Sequence, residues 1–237
     1  MSNWKMNTEK SLIPWPSFTD LSITVLLLLV LFIFAQWAVQ EGDLVQKRVS
    51  ELQDQIIRDF EKHFRCKART SDKISYALDI DRDNEPDIFF KKEATLLRLR
   101  FSDLILFETG KYDLLPEGQV ILDRSADVLK KHLKYIKEVN VQGHTDNVPI
   151  PMTNWRLSTL RALSVLDFWL KKRGRFNPER AVFSATGYGE FLPANLPEKE
   201  MWHRNIKRYN QTARQRRLNR RIEILLVYPD NLALLEK

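Results

Sequence analysis

Apolar positions along this chain fall into three patterns, and each implies a different surrounding medium. The first is an unbroken run from Val25 to Ala35, VLLLLVLFIFA, inside a stretch from Leu21 to Val39 that carries no charge. As a helix that stretch is about 30 Å long, the thickness of a hydrocarbon core, so residues 21–39 are expected to cross a membrane once. A cleaved signal peptide would also contain a short apolar run. Against it, the residues upstream offer only Lys5 and Lys10 as cations, and AQWA is a poor small-x-small cleavage site.

The second pattern begins after Gly42. In DLVQKRVSELQDQIIRDFEKHF, Val45, Val49, Leu52, Ile56 and Phe60 recur at steps of three and four, which draws one apolar stripe along a helix. Residues 40–70 therefore read as a helical connector. The stripe has two equal uses: zipping against the same helix of a second copy, or packing on the chain's own domain.

From Lys73 the period shortens. ISYALDI and ATLLRLRF alternate as strands with one wet face, Leu97, Leu99 and Phe101 opposing Arg98 and Arg100. PEGQVILDRSADVLKKHLKYIKE then reads as a helix with Pro116 in its first turn and Leu122, Ala126, Leu129, Leu133 and Ile136 on one face. EVNVQG is a strand, LSTLRALSVLDFWLKKRG a second helix closed by Gly174, and RAVFSATG and RIEILLVYP are further strands. Strands alternating with two helices predict an α+β domain over residues 71–237, a mixed sheet with helices on one face. The expected order is a tail at 1–20, the membrane helix at 21–39, the connector at 40–70 and this domain.

Composition sharpens the picture in two respects. Over 237 residues the chain is 43% hydrophobic and 29% charged, enough apolar surface to fold one ordinary domain. Its net charge of +7 suggests an anionic neighbour, and Arg214, Arg216, Arg217, Arg220 and Arg221 supply much of the excess in one stretch. The lone cysteine, Cys66, excludes an intrachain disulfide and any CxxC motif, leaving only a bridge to a second copy. Lys5 and Lys10 before the apolar run are balanced by Lys47, Arg48 and Arg58 after it, so counting cations leaves the orientation open.

Three groups of residues are candidates for chemistry. Ser17, Asp20 and Thr24 fall at i, i+3 and i+7, a polar stripe where the apolar helix begins. An acid there either faces protein or water within the span, or caps the helix at headgroup level. DIDRDNEPD sets Asp79, Asp81, Asp83 and Asp87 at a spacing similar to the calcium loops of thrombospondin type 3 repeats, and clustered oxygens suit a hard cation. With Asn84 in place of the loop glycine and no second repeat, a polar hairpin turn is favoured. His63 and His144 have no ligand-spaced companions, and no Ser/His/Asp or Cys/His grouping stands out, so an enzyme, a metal and a cofactor are not expected.

Five segments in order carry a resemblance: LILFETGKYDLLPEG, VQGHTDNVP, NWRLSTLRA, ATGYGEFLP and NQTARQRRLNRRIEI. Together they resemble the OmpA-like peptidoglycan-binding domain of OmpA, Pal and MotB proteins, over roughly Leu96 to Tyr228. The resemblance implies that Asp146 and Arg161 pair with the ammonium and carboxylate of the diaminopimelate in a peptidoglycan stem. Thr145, Asn147, Asn154, Leu157 and Ser158 would line that pocket. A zwitterion does need a fixed acid and a planar guanidinium, which suits those two residues. The chain departs from the family where Val148, Pro149, Ile150 and Pro151 replace a glycine-containing loop. It departs again at the longer segment ANLPEKEMWHRNIKRY, with Trp202 and His203. Asn219, Arg220 and Arg221 look structural in this family, so no nucleic-acid partner is expected.

The same resemblance assigns Asp20. MotB, and more loosely ExbD and TolR, place one aspartate near the start of a single membrane helix followed by a periplasmic domain. In stators of this type the carboxylate binds and releases the driving ion, a proton in this reading. This implies an inner-membrane protein with a cytoplasmic N-terminus, present as a homodimer inside a pentameric MotA-like partner of several spans. Among MotB-like proteins the run LSITVLLLLVLF resembles the B subunit of the Zorya anti-phage defence system. A flagellar-type MotB subunit, or a static membrane-to-wall tether, is the alternative.

Overall fold

The computed structural model describes residues 18–70, 72, 74–80, 86–148, 151–172, 176–197, 200 and 205–235. Lys5, Lys10, Ser17, Asp81, Asp83, Asn84, Pro149, Ile150, Gly174, Trp202 and His203 lie outside the described residues. The chain divides into two units, 1–43 and 44–237.

The first unit holds the beginning of helix α1 (Phe18–Phe64). Apolar side chains are exposed on every side of it, with Leu21 at 61%, Leu31 at 60% and Phe34 at 62%. A helix that is greasy all round needs an apolar solvent, and this is the one described helix long and apolar enough to cross a membrane. Asp20 lies in its first turn, where a carboxylate complements the helix dipole. Thr24 Oγ1 donates to the Asp20 carbonyl at 2.7 Å, which absorbs a hydroxyl otherwise unmatched by lipid.

Within the second unit α1 belongs to the core. Val49, Leu52, Ile56 and Phe60 are 0–1% exposed, so the connector stripe packs on the chain's own domain. The Phe60 ring meets Phe90 edge-on at 5.0 Å. Gln53 donates to the carbonyls of Glu93 and Leu96, Lys92 pairs with Asp54 at 2.6 Å, and His132 meets Asp59 at 2.8 Å. The helix ends where Arg65 turns left-handed, φ 55°, and the Glu61 carboxylate accepts from the Ala68 amide beyond it. Cys66 follows, half-buried and free; burial, then Glu61, pushes its thiol pKa up, away from the reactive thiolate.

Among the described residues the sheet has seven strands: β1 (Arg69–Thr70), β2 (Ser75–Leu78), β3 (Ile88–Lys92), β4 (Leu96–Ser102), β5 (Glu138–His144), β6 (Val182–Gly187) and β7 (Arg221–Val227). Their spatial order is β1-β2-β3-β4-β7-β5-β6. All neighbours are antiparallel except β5 and β6, whose parallel pairing requires the long crossover that helix α4 (Pro151–Asp167) supplies. Helices α2 (Asp103–Leu106), α3 (Pro116–His132), α5 (Ala213–Asn219) and α6 (Leu232–Leu235) complete the described elements, with short 3-10 turns and a π-helical turn at Phe168–Lys172 that continues α4. The mixed sheet with α3 and α4 is the expected α+β arrangement. β3 has no alternating signature in IFFKK and appears only as the partner that completes the β2 hairpin. Asp87, at the end of the acidic loop, closes that hairpin by accepting from the Ile80 amide at 2.7 Å. Among the described residues no three His, Cys, Asp or Glu side chains are grouped to hold a metal ion.

One face of the sheet is apolar and joins α3 and α4 in a single core, Leu97, Leu99 and Phe101 beside Ile222, Ile224 and Leu226. The other face carries a buried charge cluster. Glu223, 1% exposed, receives Arg98 at 2.5 Å, Arg100 at 3.1 Å and Arg221 at 2.7 Å. Burial would raise its pKa, but Arg221, Arg100 and Arg98 outweigh that and hold the carboxyl well below its ordinary range. Arg221 is in turn lowered to about 10, chiefly by burial.

Two expectations follow. Four core side chains on α1, worth about 1.5–3 kcal/mol each when buried, amount to a large part of a domain's ~5–15 kcal/mol stability. A fragment starting at Leu44 should therefore unfold cooperatively in urea by circular dichroism, whereas one starting at residue 71 should show no cooperative transition. The depressed Glu223 carboxyl contributes stability that is present above its unfolded value, about 4.3, and is lost as pH falls through the lower folded value. Glu223→Gln should cost roughly 3–5 kcal/mol at neutral pH and flatten the acid limb of a melting-temperature profile below about pH 4.3.

Candidate functional site

The site forms because β5 and α4 approach to the limit of contact. A Cβ on Gly143 would lie 1.9 Å from the Ser158 carbonyl oxygen, and one on Gly187 would lie 2.1 Å from Thr159 Oγ1. Only glycine at both positions lets the helix lie this low on the strand ends. Thr145 and Asp146, leaving β5, and Leu157 and Arg161, on α4, are thereby brought to one cavity of about 480 Å³. Asp103, Thr109, Gly110, Val148, Arg216 and Arg220 complete its lining.

Arg161 is 2% exposed and held on three sides. Its Nη1 donates to Asp103 Oδ2 at 2.7 Å, Nε to the Lys111 carbonyl at 2.8 Å and Nη2 to the Glu108 carbonyl at 3.2 Å. The guanidinium also lies over the Phe107 ring, 5.1 Å from its centre. Burial pushes the Asp103 carboxyl up, an effect that Arg161 and Arg220 only partly offset. Burial likewise lowers Arg161, which stays charged because its ordinary value is so high. Asp146, 5% exposed, uses Oδ1 to accept from the Val148 amide at 3.0 Å and Oδ2 to accept from Arg220 at 2.7 Å. The cavity thus presents two acids and three guanidiniums, fixed by backbone as much as by one another. Thr145 Oγ1 is buried beside it with no hydrogen-bond partner among the described residues, and Asp103 Oδ1 faces only Arg220 Nε, 3.7 Å away.

Of the seven residues expected from the motif, Thr145, Asp146, Leu157 and Arg161 line this cavity. Asn147 is half-buried and outside the lining. Asn154 and Ser158 support the site from the adjoining edge of the same α4 face. Asn154 donates to the Asp146 carbonyl at 3.0 Å and to Glu190 at 2.7 Å, and Ser158 Oγ accepts from the Gly189 amide at 2.9 Å. The sequence reading missed Asp103, and it placed Arg220 with the structural residues although Arg220 reaches Asp146. Asn219 and Arg221 are structural. Asn219 bridges the Tyr209 carbonyl, Asn210 and the Ala194 amide, and Arg221 donates to the Leu192 carbonyl. His144 is fully buried, stacked on Tyr188 at 5.2 Å, and burial, then Arg221, holds it neutral.

Fold and cavity together define an OmpA-like α+β domain that follows an apolar helix. The sequence profile of the OmpA family matches residues 106–205. The protein YfiB of Escherichia coli (strain K12) is 30% identical over 140 residues, covering 59% of this chain and 76% of that one. The chain belongs to the OmpA family. It is also similar to motility protein B of Bacillus subtilis (strain 168), 29% identical over 153 residues and 62% of this chain. The match spans about half of that relative, 51% of its length. A solved MotB-like protein from Desulfovibrio vulgaris shares the fold, with a TM-score of 0.55 at 24% identity, over 78% of this chain and 99% of that one.

If the β5–α4 contact sets the cavity, Gly143→Ala should force the two apart. Overpacking of this kind costs about 3 kcal/mol, and the melting temperature should fall accordingly, while Gly42→Ala, inside helix α1 with open space around it, should not lower it, alanine being the better helix former.

Proposed function

We propose that the cavity grips the peptide stem of peptidoglycan and that the chain is the wall-anchored subunit of an ion-driven stator. The observation that carries the first half is the meeting of Asp146, Arg161, Asp103 and Thr145 at one half-open cavity. Buried polar atoms are ordinarily satisfied, and a zwitterion such as diaminopimelate offers an ammonium for the acids and the threonine, and a carboxylate for a guanidinium. OmpA family membership supports the same ligand. Asn147, Asn154 and Ser158 act in this reading by fixing the loop and helix that frame the ligand.

Asp20 carries the second half. It begins a helix that is apolar all round, and an ionisable group at that position is retained where it faces protein or water. Two copies inside a pentameric MotA-like partner would place Asp20 against a ring of other helices, with the N-terminus in the cytoplasm and the domain in the periplasm. Protonation removes a charge from a low-dielectric site and changes which contact with the ring is preferred. The stem-bound domain supplies the fixed point against which that change does work. The resemblance of the membrane helix to the Zorya B subunit favours an output in anti-phage defence over a flagellar one.

Two variants test the halves separately. Asp146→Asn should abolish co-sedimentation of the chain with purified sacculi, a loss of at least about tenfold in affinity for one charge-assisted contact. Asp20→Asn should retain sacculus binding and assembly yet lose ion-dependent activity in cells. Full activity of Asp20→Asn would leave a static tether, and unchanged sedimentation of Asp146→Asn would remove the anchor.

A further inference from the structure

A second cleft, which the stem-binding reading leaves unused, lies at one end of the charged face of the sheet. Strand register sets it up: Phe89 of β3 stands directly opposite Arg100 of β4, and Ser102 of β4 opposite Arg221 of β7. Residues two apart on a strand share a face, so all four project from the side of the sheet opposite the apolar core. Helix α5 flanks the space with Arg214, Arg217 and Leu218, which fall at i, i+3 and i+4 and share one helical face. The volume is about 280 Å³, and among the described residues five arginines and no acid line it.

This charge is not balanced from behind. Glu223 serves Arg100 and Arg221 and takes Arg98 as well. Arg100 commits only its Nε there, at 3.1 Å, which leaves both Nη groups without a partner among the described residues. Arg214 is exposed and makes no hydrogen bond or ion pair with the described residues. Ser102 Oγ is buried with no hydrogen-bond partner, although buried hydroxyls are ordinarily satisfied. These donors select an acceptor. A carboxylate brings one charge and two oxygens, whereas a phosphate monoester brings close to two charges and three oxygens, the better match to two guanidiniums and a hydroxyl. Phe89, Pro86 and Leu218 form an apolar wall beside them, which offers nothing to a bare anion but suits the organic group that a phosphate carries. We propose that this cleft binds a small phosphate monoester, its oxygens on Arg100, Arg214 and Ser102 and its organic part against Phe89. A volume at the lower end of the ~300–1,000 Å³ usual for ligand sites limits that part to about one ring. The site stands apart from the stem-binding reading, and its test uses no wall ligand.

The test is calorimetry on the full chain in detergent with three probes: phenyl phosphate, inorganic phosphate and the singly charged phenyl sulfate. The wild type should bind phenyl phosphate with a Kd below about 1 mM. It should prefer that probe to inorganic phosphate by roughly three- to tenfold, the range of one aromatic contact, and to phenyl sulfate by about tenfold, the loss of one charge-assisted contact. Arg214→Ala should weaken phenyl phosphate by at least about tenfold with an unchanged melting temperature, because the side chain is exposed and unpaired. Phe89→Ala should abolish the preference over inorganic phosphate, and Phe89→Tyr should keep it. No measurable heat with phenyl phosphate, or an Arg214→Ala variant that binds it as the wild type does, would overturn the proposal. So would equal affinity for phenyl sulfate, which would leave only diffuse attraction to a basic surface. Equal affinity of the wild type for inorganic phosphate would overturn the assignment to an ester.

Discussion

The pairing of Arg161 with Asp103 is the interaction on which the site depends. A guanidinium that is 2% exposed survives burial only with an acid and further acceptors around it. Asp103 and the carbonyls of Glu108 and Lys111 are those acceptors. One side chain on α4 thus fastens α2, the loop that follows it and the crossover helix. Breaking it would leave a buried charge without compensation and would release the loop that walls the cavity. The glycines at 143 and 187 set the depth at which this occurs, since any side chain there would lift α4 off the strand ends.

The second face of the sheet uses the same device for a different end. Glu223 and Arg221 are as buried as the apolar core, with Arg98 and Arg100 partly exposed over them, and the group fixes β7 in register against β4. Arg220, the residue just before that strand, turns instead toward Asp146, so the charged strand and the cavity share one short segment. A dense run of arginine in sequence is in this way divided between support and ligand-facing roles.

How much of this the chain disclosed depended on the length of each pattern. The helices α3 and α4 and the strands β5, β6 and β7 follow from runs whose period is unambiguous. The connector stripe was equally plain, but a stripe states only that it needs cover, and self-packing against Phe90 and the start of β4 is a tertiary fact. β3 was hidden because IFFKK is too short to show a period. In the site, Asp146 and Arg161 were legible through their motif, whereas Asp103 reads in SDLIL as any acid at a strand end. Its partner is 58 residues away, and only the fold brings them together. Asn154 and Ser158 were grouped with Leu157 and Arg161 because all four share a broad helical face. The four span about 100° of that face; Asn154 and Ser158 lie on its edge toward the loops at Asp146 and Gly189, and Leu157 and Arg161 on its edge toward the cavity.

In the proposed reading, a carboxyl at the head of an apolar helix and a stem-binding cavity in the following domain belong to one machine, because work at the first requires immobility at the second. The most direct measurement is a crystal structure of the domain grown with the diaminopimelate tripeptide. The account predicts the ammonium within about 3 Å of Asp146 or Asp103 and the carboxylate at hydrogen-bond distance from Arg161. Tripeptide density elsewhere on the domain, with that cavity closed by its own side chains, would contradict it.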